Sequence, residues 1–171
     1  QGKFWQFELK KTVDTECLIG YIHQPYQLPH PPIAMPGMSR NSFTMKVAGQ
    51  RGYQPFAHCL VAGNVVADMW RTYAAAAEEA GRQPQRSDFK VTRSIFLADT
   101  TAEAVQRVRK NSLGRNYEYI GGLFDKGLGR RIYKRDLDMP DSECNLDYLM
   151  TEQIIAGDVD EVLRRLLMLI E

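Results

Sequence analysis

The chain has 171 residues, of which 44% are hydrophobic and 25% are charged, an ordinary composition for one globular domain. Its formal net charge of +1 argues against nucleic acid or an anionic membrane as the main partner. No apolar run approaches the ~20 residues of a membrane-spanning helix, and the first residues lack the pattern of a signal peptide.

Cysteine and histidine spacing excludes the common metal and disulfide frameworks. The cysteines, Cys17, Cys59 and Cys144, are odd in number, widely spaced and without a C-x-x-C pair. The three histidines form no H-E-x-x-H motif, so we predict no metal site. Reduced thiols in a cytoplasmic location are the expected state.

The first 32 residues are mixed in character. Phe4 to Leu9 alternates aromatic and polar residues, as in a short strand or hairpin arm, and Leu18 to Ile22 is a second apolar patch. Gln24 to Pro32 contains four prolines and predicts an extended connector. This connector leads into a predicted strand at Ile33 to Met35.

A candidate anion site follows that strand. Gly37, Met38 and Ser39 lie at the junction between the strand and a helix predicted from about Asn41 to Gln50 and closed by Gly52. Unpaired backbone N–H groups and a hydroxyl at a helix N-terminus favour an anion, usually a phosphate. The structural alternative is a plain turn in which Ser39 caps the helix.

The next elements alternate between strands and helices. A buried strand is predicted from Gln54 to Val61, then a helix from Val65 to Ala80 with Asn64 as its cap. A third strand at Phe89 to Ala98 precedes a threonine-capped helix that runs to about Lys110. This order predicts parallel strands in an α/β fold.

The last third of the chain is less regular. Residues 111–143 are rich in glycine and basic residues and predict an irregular insertion, either a lid or a solvated segment without a role. Two helices, Leu146 to Ala156 and Val159 to Ile170, are predicted on either side of Gly157-Asp158. Three strands are too few to close an eight-stranded barrel.

Four stretches, in matching order, resemble the luciferase-like flavin-dependent monooxygenases, which are (β/α)8 barrels. Gln24–Ile33 is similar to the family's Q-x-P-x-P-P-I approach to a late barrel strand, and Pro36–Ser39 to its G-x-S turn. Val91–Asp99, with Glu103-Ala104, resembles R-x-x-x-V-A-D-T-x-x-E-A. Ile155–Val162 resembles the G-D-P-x-x-V start of a penultimate helix, with Val159 in place of the proline.

The resemblance implies an incomplete TIM-type barrel that consists of the later βα units only. Residues 1–171 would form one partial domain, the C-terminal portion of a barrel without its final strand. Such enzymes use reduced FMN (FMNH2) and O2 to oxygenate a small organic substrate, often with a separate flavin reductase. The resemblance further implies that the phosphate or ribityl group of the cofactor contacts Gly37, Met38 and Ser39. The catalytic residues remain unknown, because the family's catalytic histidine belongs to the first half of the barrel.

Several alternatives stay open. The same barrel serves reductases that use the deazaflavin F420, and a non-catalytic flavin-binding or interaction protein is a further possibility. Gly37 to Asn41 also nearly matches the G-x-S-x-G motif of serine hydrolases, but His58 follows too closely for a triad. A half barrel would expose its inner strand faces, so we expect a homo-oligomer and an inactive isolated fragment.

Overall fold

The computed structural model describes residues 4, 12–14, 19–20, 25–127 and 129–170. The predicted strand Phe4–Leu9 and the patch Leu18–Ile22 lie largely outside these residues. Contacts divide the chain into two units, residues 1–32 and residues 33–171. In the first unit, β1 (Thr12–Asp14) pairs antiparallel with β2 (Ile19–Gly20), and bends occupy residues 26–29.

The second unit alternates strands and helices over most of its length. Among its described residues, no helix is both long enough and apolar enough to cross a bilayer. The elements are β3 (Ala34–Gly37), α1 (Phe43–Arg51), β4 (Gln54–Ala57), α2 (Gly63–Glu79), β5 (Lys90–Val91), β6 (Ser94–Leu97), α3 (Thr101–Lys110), α4 (Ser112–Phe124), α5 (Leu146–Glu152), β7 (Ile154–Gly157) and α6 (Val159–Ile170).

The strand pairings of this unit are all parallel, as predicted. β3 pairs with β4 and β4 with β5, while β6 pairs with β7. The strand predicted at Phe89–Ala98 is therefore divided at Thr92 and Arg93, with its first part on β4 and its second part on β7. The architecture is an α/β fold with parallel strands and flanking helices.

Two predicted helix starts and one predicted end are confirmed by their capping contacts. The Thr100 hydroxyl accepts a hydrogen bond from the Glu103 N–H at the start of α3. Asp158 Oδ1 accepts from the Glu161 N–H at the start of α6, while Asp158 Oδ2 accepts from the Thr101 hydroxyl at 2.8 Å. Gly52 ends α1 in the left-handed region, with φ of 71°.

Two predictions for the last third of the chain are wrong. The segment predicted to be irregular contains the helix α4, which Asn111 caps through bonds from the Leu113 and Gly114 N–H groups. Its Tyr117 is buried and packs on Tyr133, so tertiary packing stabilises a glycine-rich helix. The helix predicted to reach Ala156 ends at Glu152, and the fully buried strand β7 follows. A short, continuous apolar run fits a buried parallel strand as well as it fits a helix.

The helices α1 and α2 pack closely because Gly49 has no side chain. A Cβ at this position would overlap the Tyr73 carbonyl oxygen and lie 2.8 Å from the Ala77 backbone nitrogen. Buried side chains of Met45, Ala48 and Met69 complete the contact, whereas Phe43 is exposed. Gly49 therefore sets the distance between the two helices.

One face of the strands is apolar and exposed. In β6, Phe96 packs against the core, whereas Ile95 and Leu97 are 44% and 54% exposed. Ile33 and Val91 are also exposed. Because successive side chains of a strand point to opposite faces, Ile95 and Leu97 lie on the face of β6 opposite Phe96.

We predict that Gly49→Ala destabilises the protein by about 1–3 kcal/mol, because the new methyl group overlaps the backbone of α2. Urea unfolding followed by circular dichroism measures this free energy. The matched control is Gly122→Ala in α4, where a Cβ meets nothing within 4 Å. Alanine should stabilise that helix by about 0.5–1 kcal/mol. A gain in stability for both variants would contradict the close approach of α1 and α2.

Candidate functional site

A cavity of about 470 Å³ opens beside the carboxyl end of β3. Its polar and charged lining comes from Ser39, Arg40 and Arg131, and none of the described residues that line it carries a carboxylate. The remaining lining residues are Met38, Val65, Phe124, Gly129, Ile132 and Leu137. A largely apolar cavity with a hydroxyl and two guanidinium groups suits an organic ligand that carries an anionic group.

The structure places the three predicted cofactor residues differently. Met38 and Ser39 line the cavity, and both are exposed. Gly37 is the last residue of β3, is buried and does not line the cavity. A Cβ at Gly37 would overlap the Met69 sulfur, so a side chain here would require Met69 to move. Contact of Gly37, Met38 and Ser39 with a cofactor stays a prediction.

The N-terminus of α1 is partly satisfied by the protein itself. The cap is Ser42, whose hydroxyl accepts from the Met45 N–H, and not Ser39. Asn41 adopts a φ of 48°, and its N–H donates to Asp68 Oδ2 at 2.7 Å. The Asn41 N–H is therefore already paired within the protein. Ser39 remains a candidate ligand through its exposed position on the cavity wall.

The segment from Gly129 to Leu137 forms the opposite wall of the cavity. Its Arg135 carbonyl oxygen accepts two hydrogen bonds, from Arg40 Nη2 at 2.9 Å and from Asn64 Nδ2 at 2.8 Å. Asn64 was predicted to cap α2, but that helix begins at Gly63 after Ala62, which makes no side-chain cap. Asn64 instead ties the wall to the start of α2.

Contacts from α5 and α4 hold the same wall in place. The Arg135 N–H donates to the Tyr148 hydroxyl, and Gln153 Nε2 donates to the Tyr133 carbonyl at 2.7 Å.

Two ionisable groups at the wall have shifted pKa values. Arg130 donates two hydrogen bonds to Asp125, and these lower the pKa of the Asp125 carboxyl group. Burial raises the pKa of Tyr133 to about 12, so this tyrosine is neutral at physiological pH. The wall is thus an ordered part of the segment predicted to be an insertion.

His58 directly follows β4 and does not line the cavity. Its Nδ1 accepts the Leu60 N–H at 3.3 Å and lies 3.7 Å from Cys59 Sγ. In a neutral imidazole this places the proton on Nε2. Among the described residues, no group of three or more histidine, cysteine or acidic side chains could hold a metal ion.

Sequence reasoning missed most of one side of the cavity. Phe124, Ile132 and Leu137 belong to the segment predicted to be irregular, and Arg131 was one of several basic residues in it. Its glycine-rich, basic composition distinguished this segment from the regular helices and strands. It did not show which strand end the segment would approach. The bonds to Arg135 span 95 and 71 residues, a separation that no local pattern reveals.

Comparison with known proteins gives a consistent result. A family model described as luciferase-like monooxygenase matches residues 10–170. A 2,5-diketocamphane 1,2-monooxygenase of Pseudomonas putida is 34% identical over 136 aligned positions, which cover 76% of this chain and 36% of that protein. The 3,6-diketocamphane 1,6-monooxygenase of the same organism is 30% identical, and its alignment covers 100% of this chain and 46% of that protein.

A solved structure supports the same relationship. It is the oxygenating constituent of the 3,6-diketocamphane monooxygenase of Pseudomonas putida, a type II Baeyer-Villiger monooxygenase in complex with FMN. The TM-score is 0.74 at 27% identity, over 99% of this chain and 46% of that chain. The chain spans less than half the length of these relatives. It belongs to the luciferase-like monooxygenase family.

Proposed function

We propose that this chain forms the FMN-phosphate-binding part of a flavin-dependent monooxygenase that uses O2 to oxygenate a small organic substrate. The observation that carries the proposal is the cavity beside β3, where Ser39 lies with Arg40 and Arg131 and where the part of the chain that the structure describes contributes no carboxylate. These groups fit a phosphate, which takes hydroxyl and guanidinium donors. Membership of the monooxygenase family and a relative in complex with FMN support the choice of cofactor.

When bound, reduced FMN supplies the chemistry that activates O2. The role of this chain is to bind and orient the cofactor. Ser39 would donate its hydroxyl to the phosphate, and Met38 would pack beside it. We assign no catalytic residue.

The architecture that we propose for the complete enzyme is a (β/α)8 barrel. Residues 1–171 would be a single partial domain of it, with the later βα units and without the final strand. The parallel pairs of β3, β4 and β5 and of β6 and β7 support this arrangement. The cavity wall within residues 111–143 would act as a cover over the cofactor phosphate.

A flavin reductase as partner and a cytoplasmic location remain part of the proposal. Cys59 and Cys144 are free thiols in the structure. A reductase that uses F420 is the competing function. The absorption spectrum of a co-purified chromophore separates it from an FMN enzyme.

We expect the protein to bind FMN more tightly than riboflavin, which has no phosphate. Ser39→Ala should weaken FMN binding about tenfold or more and leave riboflavin binding unchanged, because a hydrogen bond to a charged group contributes about 1.5–3 kcal/mol. Flavin fluorescence titration measures both affinities.

The matched control is Ser87→Ala, because Ser87 is exposed and lies outside the cavity. This variant should bind FMN like the wild type. Equal affinity of the wild type for FMN and riboflavin would contradict a phosphate site in this chain.

We also expect the isolated chain to associate with itself through the apolar strand faces. Replacing both Ile95 and Leu97 by serine should shift the mass measured by light scattering toward the monomer, because the exposed apolar area is smaller. Leu123→Ser on α4 removes an exposed apolar side chain elsewhere and should leave the mass unchanged. A monomeric wild-type chain would contradict the expectation.

A further inference from the structure

A negatively charged residue of α2 lies against the turn before α1. Asp68 accepts the Asn41 N–H at 2.7 Å, and Asp68 Oδ1 lies 3.5 Å from Arg71 Nη2. A phosphate bound at Ser39 would therefore lie near a carboxylate that is only loosely paired. Like charges at short range repel, so the site needs a cation of its own.

Arg40 is the cation closest in sequence to Ser39, and both residues line the cavity. The described hydrogen bonds of Arg40 involve Nη2 alone, which donates to the Arg135 carbonyl. A guanidinium group carries five N–H donors in a planar fork. The described bonds thus leave its other donors available to a ligand in the cavity.

The contact with Arg135 keeps the guanidinium in place. The acceptor is itself fixed, because Asn64 donates to the same oxygen and Tyr148 binds the N–H of the same residue. A fixed carbonyl restricts the rotamers of Arg40 before a ligand arrives. Such preorganisation reduces the entropy lost when the arginine binds a phosphate.

We propose that Arg40 is the phosphate-recognising cation of the cavity, positioned by the carbonyl oxygen of Arg135. The inference rests on the proposed function and extends it from Ser39 to a second residue that selects flavins with a phosphate. Arg40 recognises the phosphate and offsets the charge of Asp68. The flavin ring plays no part in this selection.

The test compares FMN and riboflavin binding by Arg40→Met, which keeps much of the side-chain length and removes the charge. FMN affinity should fall about 10- to 100-fold, as expected for a lost charge-assisted hydrogen bond, while riboflavin affinity stays unchanged. Arg40→Lys should retain part of the preference for FMN, because it keeps the charge but not the fork. Circular dichroism shows whether each variant folds.

The matched control is Arg115→Met. Arg115 is an exposed arginine that also donates to a backbone carbonyl, that of Lys110 at 3.0 Å, but it lies outside the cavity. The Arg115→Met variant should keep the wild-type preference for FMN over riboflavin. An equal loss in both variants would show a general charge effect and overturn the inference.

Two further outcomes separate the inference from the proposed function. If the wild type prefers FMN and Arg40→Met keeps that preference, the role of Arg40 is wrong and the phosphate site stands. If the wild type shows no preference for FMN, the proposed function fails together with the inference. Loss of FMN and riboflavin binding alike in folded Arg40→Met would indicate a purely structural role and also overturn the inference.

Discussion

The position of the candidate site depends on the close contact of β3, α1 and α2. Two glycines make this contact possible, since a side chain at Gly49 would overlap the backbone of α2 and one at Gly37 would overlap Met69. With these elements in contact, the turn from Met38 to Ser42 lies beside the first residues of α2. The proximity of Asn41 and Asp68 follows from that packing.

The second determinant is the wall formed by residues 129–137. Three parts of the chain hold its backbone: Arg40 in the turn after β3, Asn64 in the first turn of α2 and Tyr148 in α5. These bonds pair the carbonyl oxygen and the N–H of Arg135, which would otherwise bind water or stay unpaired. A segment without strand pairing is thereby ordered enough to form one side of a cavity.

Charges of both signs would act on an anion at the site. A helix N-terminus and two arginines favour an anion, whereas Asp68 opposes one. A neutral ligand would gain little from the guanidinium groups, and a phosphate gains most where they are preorganised. The proposed phosphate contact therefore depends on side chains that the turn motif alone does not contain.

The helix and strand predictions show where sequence reasoning succeeds and where it fails. The starts of α3 and α6 and the end of α1 were predicted because their signals are local: a threonine cap, the Gly157-Asp158 break and a closing glycine. β7 was missed because four consecutive buried residues carry no periodic signal. α4 was missed because its glycines weaken the local preference for a helix that Tyr117 anchors through tertiary contacts.

The sequence by itself determined the parallel α/β order, the turn after β3 and the relationship to luciferase-like monooxygenases, because these depend on neighbouring residues and on motifs in series. Only the tertiary structure decided that Gly37 is a packing residue, that Asn64 binds a distant carbonyl and that Arg40 lines a cavity with Arg131. These contacts join residues far apart along the chain. Their formation depends on how helices and strands pack, which no local pattern specifies.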